Sequence, residues 1–78
     1  MTALLWTAPY CGVQHLTGHP ELTDRTYQVT LTDRGSFADW YILALHGNHP
    51  FNSLREGIGT DVVAAKQQAE SAFLAIVQ

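Results

Sequence analysis

The sequence predicts a small α+β protein, in which an antiparallel β-sheet of three to five strands carries one C-terminal α-helix on one face. Two observations predict this fold. Residues 26–46 have the alternation and central turn of a β-hairpin. Residues 60–78 repeat apolar residues at three- and four-residue spacing, which is typical of an amphipathic helix. The apolar stripe consists of Val62, Ala65, Ala69, Ala72, Phe73 and Ile76. A length of 78 residues allows one compact domain, 1–78, with one modest core.

The hairpin is the most clearly patterned part of the chain. Its first arm alternates between apolar Tyr27, Val29 and Leu31 and the polar residues between them. Its second arm, residues 40–45, is apolar throughout, which favours a central strand covered on both faces. Turn-forming residues join the arms, and Gly35 is expected to adopt a positive φ.

A register for the hairpin predicts a contact surface. Placing Thr32 opposite Trp40 directs Tyr41, Leu43 and Leu45 toward the helix, together with the apolar residues of the first arm. Trp40, Ile42 and Ala44 then lie on a mixed face among threonines. A one-residue slip would exchange the two faces of the second arm. We expect the mixed face to bind a partner through Trp40, Ile42, Thr30 and Thr32.

The segment before the hairpin is less regular. Residues 3–7 are apolar and predict a first strand that Pro9 ends. Residues 10–24 predict a loop, with a short strand near residues 13–16. A loop of this length in a small domain is often functional.

Two elements follow the hairpin. Residues 51–57 predict a further strand at the sheet edge, with Leu54 pointing inward. Thr60 is the predicted N-cap of the helix, and Asp61 suits the positive end of its dipole.

Composition excludes several function classes. The formal net charge is −3, from seven acidic and four basic residues, so a basic stripe for direct nucleic-acid binding is absent from the sequence. The one cysteine excludes an internal disulfide and fits a reducing cytoplasm. We expect neither a signal peptide nor a membrane span, because no apolar run is long enough.

Metal-ligand residue types occur in two groups. Cys11, His15 and His19 are spaced four apart, and His46 and His49 lie three apart. Glycines and a proline make a shared helix face doubtful for the first group, and paired cysteines are missing. Ordinary turn histidines and a buried thiol are the favoured interpretation, ahead of a zinc site or a Cys11–His15 nucleophile and base.

Two other patterns have simple structural interpretations. Asp33 and Asp39 flank the hairpin turn, where turn capping is favoured over acid–base catalysis. Residues 57–60 precede the helix, but a phosphate-binding lysine and a third glycine are missing. We therefore expect neither catalytic nor metal-binding residues, and no cofactor.

Three segments carry a resemblance to a known group of proteins: MTALLWTAPYCGVQHL, DWYILALHGNHPF and GTDVVAAKQQAESAFLAIV. With them the chain resembles small phage-borne anti-CRISPR proteins over nearly its full length, and is most similar to inhibitors of the type I-C system. The resemblance implies a stoichiometric inhibitor without catalysis. It would bind Cas proteins of the type I-C Cascade complex in the host bacterial cytoplasm and block target DNA binding.

The charges of the chain suit such a partner. Glu21, Asp24, Asp33 and Asp39 would provide negative charge around the hairpin, opposite the basic DNA-binding surface of Cascade. An alternative hypothesis is a small phage structural module that associates with itself through the same face. We expect a monomer or a weak dimer.

Overall fold

The fold is a five-stranded antiparallel sheet with a long helix packed against it, as seen in a computed structural model that describes residues 4–45 and 53–78. The strands lie side by side in chain order. The predicted α+β class is confirmed. The elements are β1 (Leu5–Trp6), β2 (Val13–Thr17), α1 (Pro20–Thr23), β3 (Tyr27–Asp33), β4 (Ala38–Ala44), β5 (Ser53–Gly59) and α2 (Val62–Val77).

The hairpin forms where the sequence predicts it, but the predicted register is wrong by one residue. Trp40 lies opposite Leu31 instead of Thr32. The amide of Arg34 donates to the carbonyl of Phe37 at 2.8 Å, and this turn pairs Asp33 with the residue directly after Phe37. The shift is favourable because it buries the largest apolar side chains of β4 and leaves the Tyr41 hydroxyl near water.

The core lies between α2 and one face of the sheet. The fully buried residues of α2 are Ala65, Ala69 and Phe73, which belong to the predicted apolar stripe. Val62 and the remaining stripe residues pack partly buried against the same cluster. The sheet contributes Leu16, Val29, Leu31, Ala38, Trp40 and Ile42.

Two glycines of β5 let the helix and an indole ring approach the strand closely. A Cβ on Gly59 would lie 2.7 Å from the Cα of Ala65, so any larger residue there would push α2 away. A Cβ on Gly57 would lie 2.7 Å from the ring of Trp40. Small residues at this contact therefore set the distance between helix and sheet.

The helix begins one residue later than predicted. Asp61, and not Thr60, is the N-cap, with extended backbone at φ −150°. Its carboxylate accepts a hydrogen bond of 2.8 Å from the amide of Ala64. Asp61 is the better cap here because its side chain reaches the third amide of the first turn.

The edge elements differ in detail from the predictions. The first strand is reduced to Leu5–Trp6, whereas the short strand in the loop is confirmed as Val13–Thr17. The short helix α1 was not predicted. Leu54 is 46% exposed and does not point inward, because strand pairing puts Arg55, and not Leu54, on the side of the buried Ile42. Leu54 itself lies at a bulge in the pairing of β4 and β5. No helix in residues 4–45 and 53–78 is long and apolar enough to cross a membrane.

Candidate functional site

The sheet face opposite α2 is the candidate functional surface, and we call it the open face. Within the described residues, no helix packs on it. Strand alternation and pairing place on it every second residue of each strand. These residues are Leu5, Val13, His15, Thr17, Gln28, Thr30, Thr32, Asp39, Tyr41, Leu43, Glu56 and Ile58.

Two of the predicted contact residues are not on this face. Trp40 is 6% exposed and Ile42 is 0% exposed, and both lie in the core beneath α2. The indole Nε1 of Trp40 donates to Oε1 of Gln68 on the helix at 3.0 Å. The prediction that Trp40 and Ile42 lie on the uncovered face is therefore wrong, and its cause is the one-residue shift in register.

The two predicted threonines do lie on the open face, near its centre. Thr30 is buried among its neighbours and Thr32 is half-buried. The Thr30 hydroxyl lies 3.2 Å from Nδ1 of His15 and accepts a 3.4 Å hydrogen bond from Nε2 of Gln28. Because these groups satisfy one another, the centre of the open face is a fixed polar cluster.

The apolar groups on the open face lie mainly on β4 and β5. Tyr41 and Leu43 are half-buried, and Ile58 is 66% exposed. Sequence reasoning assigned Tyr41 and Leu43 to the helix side and gave Ile58 no role. The available signal was the glycine on each side of Ile58, which indicates a close approach on the opposite face of that strand.

An open depression of about 620 Å³ lies at the turn end of β4 and β5. Its open-face and turn residues are Arg34, Asp39, Tyr41, Glu56 and Ile58. Nε of Arg34 contacts Oδ2 of Asp39 at 3.0 Å, with 53% and 31% of the two side chains exposed. An ion pair this exposed adds little stability, so it mainly orients the two groups at the rim.

The four predicted acidic residues divide between the two ends of the hairpin. Asp33 and Asp39 lie at the β3–β4 turn. Glu21 and Asp24 belong to α1 and its C-cap, beside Thr26 at the other end. The seven residues of β3 separate the two pairs by about 20 Å. Of the four, only Asp39 lines the depression.

Asp33 caps the hairpin turn, as the sequence favoured, whereas the carboxylate of Asp39 pairs with a side chain and not with a turn amide. Oδ1 of Asp33 accepts from the amide of Gly35 at 2.9 Å, and Gly35 has the predicted positive φ of 94°. Asp39 contacts Arg34, as described above.

The candidate metal ligands at the N-terminal side lie apart from one another. Cys11 is exposed in the β1–β2 turn, so the prediction of a buried thiol is wrong. His15 is on the open face, while His19 caps α1 and packs edge-on against Phe73 with ring centroids 5.1 Å apart. Across residues 4–45 and 53–78, no three His, Cys, Asp or Glu side chains are grouped to hold a metal ion. The predicted pair at positions 46 and 49 lies outside the described residues.

Comparison of the chain with protein-family models, with curated proteins and with solved structures finds no match.

Proposed function

We propose that this chain is an anti-CRISPR protein that binds the type I-C Cascade complex through its open face and blocks target DNA binding without catalysis. The partner is taken from the resemblance of the sequence to phage-borne inhibitors. The observation that supports binding through the open face is the depression between β4 and β5, where apolar and charged side chains lie together on a face without a helix.

The apolar groups on this face suit protein recognition. Ile58 on β5 is 66% exposed, and Tyr41 and Leu43 on β4 provide half-buried area between it and the polar centre. Leu5, which is 63% exposed, lies at the opposite edge of the sheet on β1. Interfaces typically place a few aromatic and aliphatic side chains inside a polar rim, and those few contribute most of the binding energy. Tyr41 therefore takes the anchoring role that the sequence alone assigned to Trp40.

The charge of the chain supports a basic partner. The formal net charge is −3, and Asp39 and Glu56 outnumber Arg34 at the turn end of the open face. A surface that binds DNA is positively charged, so it attracts this end of the molecule during encounter. Charge of this size steers and orients binding, while the apolar groups contribute the affinity.

A matched pair of variants tests the proposal. Ile58 and Val63 are β-branched residues with 66% and 64% exposure, but Ile58 lies on the open face and Val63 on α2. Wild-type protein and Val63→Asp should co-elute with type I-C Cascade and reduce its binding to target DNA. Ile58→Asp should lose both effects while its circular dichroism spectrum is retained. Folded wild-type protein that neither co-elutes nor reduces DNA binding would refute the proposal.

Self-association is a second candidate function, favoured by the position of β5. This seven-residue strand is the last in the sheet order, and no described strand pairs with its outer edge. Leu54 and Ile58 expose apolar surface along it. An unpaired edge can extend the sheet into a second copy. Light scattering at several concentrations should then show a stable dimer whose size is unaffected by Cascade.

A further inference from the structure

We infer that the depression between β4 and β5 binds an arginine side chain presented by the partner protein. This inference rests on the proposed function for the identity of the partner. The chemistry of the depression itself can be tested without that partner.

Strand pairing arranges four side chains of the depression as a square. Asp39 lies directly opposite Ile58, and Tyr41 lies directly opposite Glu56. The two carboxylates therefore occupy one diagonal, and Tyr41 and Ile58 occupy the other. Diagonal neighbours on an antiparallel pair are about 7–8 Å apart, so a cation between the two carboxylates can contact both.

The carboxylates have capacity to accept further hydrogen bonds. Arg34 contacts Oδ2 of Asp39, which leaves Oδ1 of Asp39 to accept from another donor. Among the described residues, no side chain pairs with the carboxylate of Glu56, which is exposed. A guanidinium group has five N–H donors in a planar arrangement and can donate to two carboxylates at once.

The other diagonal favours arginine over lysine. The half-buried ring of Tyr41 can stack with a planar guanidinium, and Ile58 can cover the aliphatic part of the same side chain. A lysine ammonium is a compact, strongly hydrated charge that neither stacks on a ring nor donates in two fixed directions. Anionic ligands are disfavoured because two carboxylates line the site, and a purely apolar group would desolvate Glu56 without a partner. The volume of about 620 Å³ accommodates one long side chain with its flanking backbone.

The test uses the intact protein and three small probes, followed through the backbone amide signals by NMR. Nα-acetyl-arginine amide should cause saturable shifts centred on Asp39, Tyr41, Glu56 and Ile58. Nα-acetyl-citrulline amide, which has the same shape without the charge, should cause none, and the lysine analogue should bind more weakly. Saturable shifts of equal size with citrulline, or no localised shift with arginine, would overturn the inference.

Two variants locate the interaction. Glu56→Gln should weaken arginine binding by about two- to fivefold, which is the effect of removing one partner of an exposed ion pair. Asp24→Asn removes the same charge at the opposite end of the hairpin and should leave binding unchanged. An equal loss of affinity for the arginine probe in both variants would show that the probe responds only to the net charge of the protein, and would overturn the inference.

The outcomes separate this inference from the proposed function. Specific binding of the arginine probe with no binding of Cascade would refute the proposed partner and leave the inference intact. Binding of Cascade through the open face with no specific arginine binding would refute the inference alone.

Discussion

Replacement of Trp40 by alanine tests whether β4 presents this residue to the helix or to a partner. The side chain is 6% exposed, packs over Gly57 and donates a 3.0 Å hydrogen bond to Gln68. Truncating a buried tryptophan typically costs about 3–5 kcal/mol of unfolding free energy. A domain of 78 residues has about 4–12 kcal/mol in total, so Trp40→Ala should lower the melting temperature by at least about 12 °C.

Urea denaturation followed by circular dichroism measures this effect. Trp40→Phe keeps an aromatic ring but removes the indole donor, and should lose about 1–2 kcal/mol of unfolding free energy. This milder variant can be measured even if the alanine variant does not fold. Ile58→Thr is the surface control, because Ile58 is 66% exposed, and it should change stability by no more than about 0.5 kcal/mol. A loss below about 1 kcal/mol for Trp40→Ala would refute the register that places Trp40 beneath α2.

Three further substitutions test local features of the fold. Gly59→Ala should lose about 1–3 kcal/mol of unfolding free energy, because its new methyl group would collide with Ala65, and an unchanged urea midpoint would contradict that contact. Asp61→Ala should lose about 1 kcal/mol and Thr60→Ala almost nothing, and the reverse order in thermal melts would show that Thr60 is the cap. Cys11→Asn should raise the melting temperature by a few degrees, because Cys11 has a φ of 52° that asparagine tolerates better, and a decrease would rule out strain at this turn.

The hairpin and the long helix were predictable because their periodicity is strong and local. Alternation in β3 requires only that one face be buried, and Val29 and Leu31 are indeed fully buried. The stripe of α2 likewise follows from spacing alone, and Ala65 and Phe73 of that stripe are in the core.

The register was not predictable from the sequence, because β4 has large apolar residues on both faces. Trp40 and Ile42 form one alternating set, and Tyr41 and Leu43 form the other. Pattern alone does not decide which set faces the helix. The choice depends on the turn length and on the space above Gly57, which admits the indole ring.

The candidate site was not predictable for the same reason, since it depends on which face of β4 is directed toward the helix. Tyr41 was assigned to the core, so the depression that it forms with Glu56 and Ile58 was missed. The predicted strand, residues 51–57, includes Glu56 but ends before Ile58, whereas β5 continues to Gly59. Its pairing also depends on a bulge between Ile42 and Leu43 that leaves no clear trace in the sequence. The sequence pattern therefore does not predict which residues of β4 and β5 lie opposite one another.

The acidic residues show a similar limit. Four carboxylates close in sequence to the hairpin were expected to act together, whereas Glu21 and Asp33 lie at opposite ends of β3. Proximity along the chain does not give proximity in space when a strand of seven residues intervenes.

The most direct test of the account is methyl NMR of the labelled protein with and without type I-C Cascade. Ile58, Leu43 and Leu5 report on the open face, whereas Val63 and Leu74 report on exposed parts of α2. We predict that the methyl signals of the first three residues broaden or shift on addition of Cascade, and that those of Val63 and Leu74 do not. The reverse pattern, or no change on either face, would contradict the claim that the open face binds this partner.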